Sequence, residues 1–232
     1  MLIPLTRAKF EELVPRFATG EQYRYASGKL PDFLRRLLIS VVGLLVAFFF
    51  RAILPESFAI LEFLLGITTG LYWLWSPIYW ASRRNAEIRR YPYAGFLQGE
   101  VLDAFPSEEV IGTEETVNKR GELVVIENRE RRLNLEIGDE EGFTTFLQVP
   151  LQQAHRAIRP GDRAELLVVS YRPDLSRIEM VSDVYLSDYS LWVSDYPYVR
   201  RDMFVEVSHR LDQEYAPPPP PPRRRRRSQS RR

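Results

Sequence analysis

Groups able to do chemistry are sparse in this 232-residue chain, which has two histidines and no cysteine. His155 and His209 are far apart and neither has the i, i+4 partner of a zinc-binding helix, so they read as surface or helix-end residues. Without cysteine there is no thiolate nucleophile, no disulfide and no Cys-based zinc or iron–sulfur site. The acidic pairs Glu108-Glu109, Glu114-Glu115 and Glu140-Glu141 fall where turns and strand edges are expected, which makes them a solvated face rather than paired catalytic carboxylates. Gly28-Lys29 lacks the glycine-rich loop that cradles phosphate, and no glycine fingerprint for a dinucleotide follows a strand. The expectation is a non-enzymatic protein with no cofactor and no metal.

Two other charges stand out because of their surroundings. Arg51 and Glu62 lie inside apolar segments, Leu37 to Leu54 and Phe58 to Trp80, joined by Pro55, Glu56 and Ser57. At about 1.5 Å per residue these cover roughly 27 and 35 Å, against a hydrocarbon core of about 30 Å, and they predict a transmembrane helical hairpin. Arg36, Ser40, Gly43, Ala47 and Arg51 share one stripe of the first helix; Glu62, Gly66, Thr69, Gly70, Trp73 and Pro77 share one on the second. Gly66 and Gly70 form a small-xxx-small pair, so Gly43, Ala47, Gly66 and Gly70 are the expected packing residues. Arg51 and Glu62 lie at similar depth on the linker side, where pairing relieves the cost of a charge in hydrocarbon; Arg51 reaching to the headgroups is the alternative.

Lys29, Arg35 and Arg36 precede the first span and Arg83, Arg84, Arg89 and Arg90 follow the second, which puts both termini in the cytoplasm, or the stroma of a plastid. Trp73, Trp75, Tyr79 and Trp80 cluster toward that side as an interfacial belt.

The remaining elements follow in order. Residues 1–32 are a cytoplasmic segment with a short amphipathic helix, Arg7 to Val14, capped by Thr6 and closed by Pro15. The hairpin occupies 33–82 (spans about 37–54 and 58–80), and a basic helix extension fills 83–94. Strands are expected at Phe96–Phe105, Val110–Val117, Glu122–Asn128, Arg132–Ile137, Phe143–Val149, Ala164–Tyr171 and Ile178–Leu186, with turns at Lys119-Arg120-Gly121 and Gly138–Gly142 and one helix at Leu151–Ile158. The fold class is thus a membrane α-helical hairpin plus a cytoplasmic, mainly-β domain over 95–188, a small antiparallel barrel of OB or SH3-like type that removes open edges by closure. An aromatic segment, 189–215, and a Pro/Arg tail, 216–232, complete the chain.

Two features suit interaction. Glu127 to Arg132 is a charge cluster expected at a hairpin tip, where Arg129, Arg131 and Arg132 can fork onto lipid phosphates or a partner's carboxylates. In the tail, Pro217 to Pro222 favour an extended rod carrying Arg223, Arg224, Arg225, Arg226 and Arg227 toward anionic lipid or RNA. The net charge of +1 hides this division, because the last ten residues hold seven arginines and the rest is acidic.

Arg89-Arg90-Tyr91-Pro92-Tyr93, Thr116-Val117-Asn118-Lys119-Arg120-Gly121-Glu122-Leu123, Glu127 to Leu135 and Leu191 to Tyr198 resemble an uncharacterised family of cyanobacterial two-span membrane proteins often labelled phosphate ABC transporter permease. The resemblance covers most of residues 1–211 and implies a photosynthetic prokaryote and a plasma or thylakoid membrane; it carries no functional residues. The expected role is docking: a bilayer-anchored protein whose β domain binds a protein partner in the membrane or cytoplasm and serves assembly of, or scaffolds, a membrane complex. The alternative is a transport-related, permease-like subunit acting as an oligomer of hairpins around Arg51 and Glu62.

Overall fold

In the computed structural model, which describes residues 1–117, 123–139 and 142–215, the sheet is organised by one strand of 25 residues. β1 (Leu2–Leu5) is followed by the helices α1 (Arg7–Leu13), α2 (Gly20–Ser27), α3 (Leu30–Ile53), α4 (Ala59–Gly70) and α5 (Tyr72–Ile88). The long strand is β2 (Tyr93–Val117); then come β3 (Leu123–Gly138), β4 (Thr144–Pro150), β5 (Arg163–Ser170), β6 (Met180–Leu186) and β7 (Leu191–Val193).

All seven strands form one antiparallel sheet in the order β4-β3-β2-β5-β6-β7, with β1 also on β2. Along one side β2 pairs first with β1 (Leu97 opposite Leu2) and then with β3 (Glu100 opposite Gly138). The handover is tight: a Cβ at Gly99 would overlap the carbonyl oxygen of Gly138. Register shifts between Val101 and Asp103 and between Val110 and Gly112 bend β2. Its inner face, with Leu97 and Val101, meets Leu135 and Ile137 of β3, Val149 of β4, Leu166 and Val168 of β5, and Val184, Leu186 and Val193 from the far edge in one core.

The barrel expected from sequence does not close. β4 and β7 are the ends of the strand path, and a cleft of about 550 Å³ separates Thr144 and Phe146 from Ile178 and Met180. β7 has only three residues and pairs with β6 alone, too little strand to complete a ring. Closure was expected to remove edges; here β4 remains one. Two boundaries also differ: Phe96–Phe105 and Val110–Val117 belong to one strand, as do Glu122–Asn128 and Arg132–Ile137 from Leu123 onward. Gly112 and the charges of 127–132 fit within an extended ladder. The expected helix Leu151–Ile158 is a 3-10 turn, Gln153–Ala157.

Among the described residues, one helix, α3, is long and apolar enough to cross a membrane, near the N-terminus; α4 and α5 reach that criterion only when taken together, across a bend of 74°. The second span expected as one helix over 58–80 is therefore broken. Thr69 Oγ1 donates back to the carbonyls of Leu65 (2.8 Å) and Gly66 (3.4 Å), loosening the last turn of α4 beside Gly70. The groups freed at the break find partners: Trp73 N–H donates to Ser40 Oγ of α3 (3.1 Å), and Trp75 Nε1–H to the Thr68 carbonyl (2.8 Å).

Thr6 caps α1 as its sequence suggests, and Arg7 donates to the carbonyls of Arg89 and Tyr91 at the end of α5. By itself, the unit beginning at Arg201 shows α6 (Arg201–Tyr215), in which Arg210 pairs with Glu206 one turn back. The turn Lys119-Arg120-Gly121, the pair Glu140-Glu141 and the Pro/Arg tail lie outside the described residues.

Gly99→Ala is expected to lower stability by about 2 kcal/mol, a fall of roughly 4–8 °C in melting temperature for a chain of this size. Gly112→Ala meets open space and is expected to stay within about 2 °C of the parent. Equal melting temperatures in a thermal scan would remove the close approach at Gly99 as a determinant of the sheet.

Candidate functional site

Arg51 ends α3 and Glu62 lies in the first turn of α4, and a short 3-10 turn, Glu56–Phe58, reverses the chain between them. The reversal sets Arg51 Nη1 3.2 Å from Glu62 Oε2. The two partners are unequal: the Glu62 side chain is 7% exposed and that of Arg51 54%. Glu62 Oε1 is buried and receives no hydrogen bond. A carboxylate oxygen withdrawn from water without a donor is costly, so this one is poised to accept.

The small residues around the pair play different parts. A Cβ at Gly43 would come within 2.6 Å of Thr69 Cβ, and one at Gly70 within 3.0 Å of Leu44 Cδ2, so both glycines sit where α3 and α4 touch. Ala47 is buried in the same seam. Gly66 differs, because a Cβ there would meet nothing within 4 Å. It opens onto a groove of about 480 Å³ lined by Ala47, Phe48, Arg51, Glu62 and Phe63, and an overlapping depression of about 450 Å³, which shares Leu44, Phe63 and Gly66 with it, reaches Ile67 and Gly70.

Beyond its last contacts with β4, the β2–β3 ladder continues as a two-stranded arm. Glu108–Val117 pair with Leu123–Arg131, and among the described residues these have no other strand neighbour. At about 3.4 Å per residue the arm is roughly 30 Å long. It exposes Val110, Ile111, Leu123, Val125 and Ile126. The arginines expected at a hairpin tip are mid-strand in β3, and residues 118–122, between β2 and β3, lie outside the described residues. Arg129 pairs with Glu127 (2.9 Å), and Arg132 with Glu109 (3.0 Å) and Glu130 (3.4 Å); Arg131 is opposite Glu108. Glutamates thus compete with any phosphate for the Arg129 and Arg132 forks. The arm's apolar residues are its more available surface, which alternation analysis passed over because they read simply as strand. Arg223 to Arg227 lie outside the described residues.

A polar clamp that sequence reasoning missed joins α2, α5 and the chain near Tyr196. Gln22 and Asn85, both fully buried, exchange amide hydrogen bonds at 3.1 and 2.8 Å, and Gln22 Nε2 also donates to the Pro197 carbonyl at 2.8 Å. Tyr196 donates to the Ala81 carbonyl at 3.2 Å, and burial pushes its phenol well above the ordinary value. Arg84 lies over its ring. The available signal was the capping box Thr19…Gln22, which starts α2 and turns the glutamine inward. Tyr196 is thus core. Tyr91 of the first Tyr-Pro-Tyr packs instead on Tyr171 at 4.8 Å.

His155 Nδ1 accepts the Gln152 N–H at 3.2 Å, and burial lowers its pKa, so this histidine closes a turn. His209 is on α6. No group of three or more His, Asp or Glu side chains suited to a metal occurs among the described residues. Gly28 and Lys29 lead into α3, where Asp32 Oδ2 accepts the Lys29 N–H at 3.0 Å. The aromatic belt forms edge-to-face contacts from Tyr72 to Trp75, Tyr79 and Trp80, and Trp80 and Tyr79 remain half exposed.

No curated protein and no solved structure matches the chain. A family model does match, over residues 3–214, and its span takes in the helix pair, the clamp and the arm together. The chain belongs to that family, described as a family of unknown function, DUF8619.

Proposed function

We propose that this chain is a non-enzymatic, two-pass membrane protein whose sheet domain docks a protein partner, serving assembly or organisation of a larger membrane complex. The observation that carries the docking role is the free β2–β3 arm, which holds Val125 and Ile126 in water at 59% and 51% exposure. An isolated two-stranded ribbon gains little from its own pairing. Both its apolar residues and its open ladder edges suit a partner that adds strand or apolar contact.

Anchoring is supported by the apolar surface of α3, of which only Ser40 and Ala47 are buried, and by its antiparallel contacts with α4 from Gly43–Thr69 to Arg51–Glu62. In this reading α3 crosses outward, and α4 continued by the start of α5, bent at Leu71, returns as one broken span whose Trp and Tyr side chains reach the headgroups. Basic flanks on both sides of the pair then face the cytoplasm. The resemblance noted above favours a cyanobacterial plasma or thylakoid membrane.

The chain purified in mild detergent is expected to comigrate with a larger assembly, and Val125→Asp with Ile126→Asp to release it while remaining in the membrane fraction. A double variant that still comigrates with the assembly, or a homo-oligomer of fixed size in place of a complex, would sink the docking role; the latter would favour a transport subunit. In the helix pair, Arg51→Leu is expected to cost about 1–3 kcal/mol by leaving the Glu62 carboxylate without its partner. Adding Glu62→Leu should restore most of the lost thermal stability in detergent, the signature of a coupled pair.

A further inference from the structure

The groove beside Arg51 and Glu62 has one polar end and one apolar end. Arg51, Glu62 and Ala59 line it near the loop; Leu44, Phe63 and Gly66 continue it; Ile67, Gly70 and Leu71 line its far part. From Glu62 to Leu71 it descends about 13 Å along α4. Gly66, with open space where a side chain would be, keeps it unobstructed. At the polar end an exposed guanidinium stands next to a carboxylate whose Oε1 is buried and receives no hydrogen bond.

These features belong to a ligand with three parts: an anion for Arg51, an N–H or O–H donor for Glu62 Oε1, and an apolar chain for the groove. We propose that the α3–α4 groove binds a single phospholipid whose headgroup carries a hydrogen-bond donor beyond its phosphate, an ethanolamine ammonium or a glycerol hydroxyl. The phosphate pairs with Arg51, the donor satisfies Glu62 Oε1, and an acyl chain follows Phe63, Gly66 and Leu71. This rests on the anchoring reading, in which the loop end of the pair is at headgroup depth. A choline headgroup offers the same phosphate but no N–H or O–H, so it satisfies Arg51 and leaves Glu62 unpaired. A second copy of this chain would fill the apolar part, but the donors its α3 and α4 expose are Arg35, Arg51 and Thr68, and Arg51 is already engaged with its own Glu62.

The test is native mass spectrometry of the full chain, delipidated in mild detergent and offered phosphatidylethanolamine, phosphatidylglycerol or phosphatidylcholine with matched acyl chains. One lipid per chain is expected, with either donor-bearing headgroup preferred over choline by about ten-fold, the weight of one charge-assisted hydrogen bond. Glu62→Leu should abolish that preference while phosphate binding through Arg51 persists. Gly66→Leu, placed in open space, should keep the melting temperature and lose all three lipids. Equal retention of choline lipid by the parent chain overturns the proposal, as does undiminished binding by Gly66→Leu, or a lipid-free dimer that Gly66→Leu dissociates. A chain recovered in buffer without detergent would instead defeat the anchoring reading itself, so the two failures are distinguishable.

Discussion

The helix pair is governed by one constraint: its apolar side chains face outward, so its polar groups have to satisfy one another. Leu38, Leu45, Phe48, Phe49, Ile60, Leu61 and Phe63 are each more than three-fifths exposed. In hydrocarbon no water is available to complete a broken backbone ladder. The break between α4 and α5 is therefore informative. Ser40 takes the Trp73 N–H and Trp75 takes the Thr68 carbonyl, so the chain bends by 74° with its freed groups bonded inside the helical layer. Among the described residues of this layer, Glu62 Oε1 and Ser76 Oγ are buried without a hydrogen bond.

The same layer is tied to α1, α2 and the chain after β7 by polar contacts. Arg7 and Arg89 bridge α1 and α5 through Glu11, whose pKa is held down by its bond to Arg7 and by the nearby charge of Arg89. Deeper in, the Gln22–Asn85 exchange and the Tyr196 hydroxyl fix α5 against α2 and the chain after β7. α5 is followed directly by β2, which begins at Tyr93, and the arm is the continuation of the β2–β3 ladder beyond its pairing with β4.

Much of this was legible from residue types and spacing, and the exceptions have local causes. Arg51 and Glu62 stood out because charges in apolar runs need a partner or an interface, and the structure sets them 3.2 Å apart. The strand regions followed from β-branched residues and turn signals. Barrel closure was not decidable that way, since it depends on whether β7, three residues long, can bridge to β4. The charge cluster 127–132 looked like a tip because six polar residues interrupt an apolar run, yet each pairs across the ladder with β2. β1 was hidden by its proline and by having only four residues, and α2 by its polar composition. The bend at Leu71 depends on Thr69 and Ser40, on different helices, and no pattern within one segment contains it.

The central claim is that α3 crosses a bilayer and α4, continued by the start of α5, returns, leaving the sheet on the cytoplasmic side. The chain has no cysteine, so single cysteines introduced at Ser57, in the turn between the helices, and at exposed Ser176, after β5, can be read with a membrane-impermeant thiol reagent on right-side-out vesicles. The account predicts labelling of Ser57→Cys from outside and of Ser176→Cys only after permeabilisation. Labelling of both from the same side, or loss of the protein from the vesicles in alkaline wash, would contradict it.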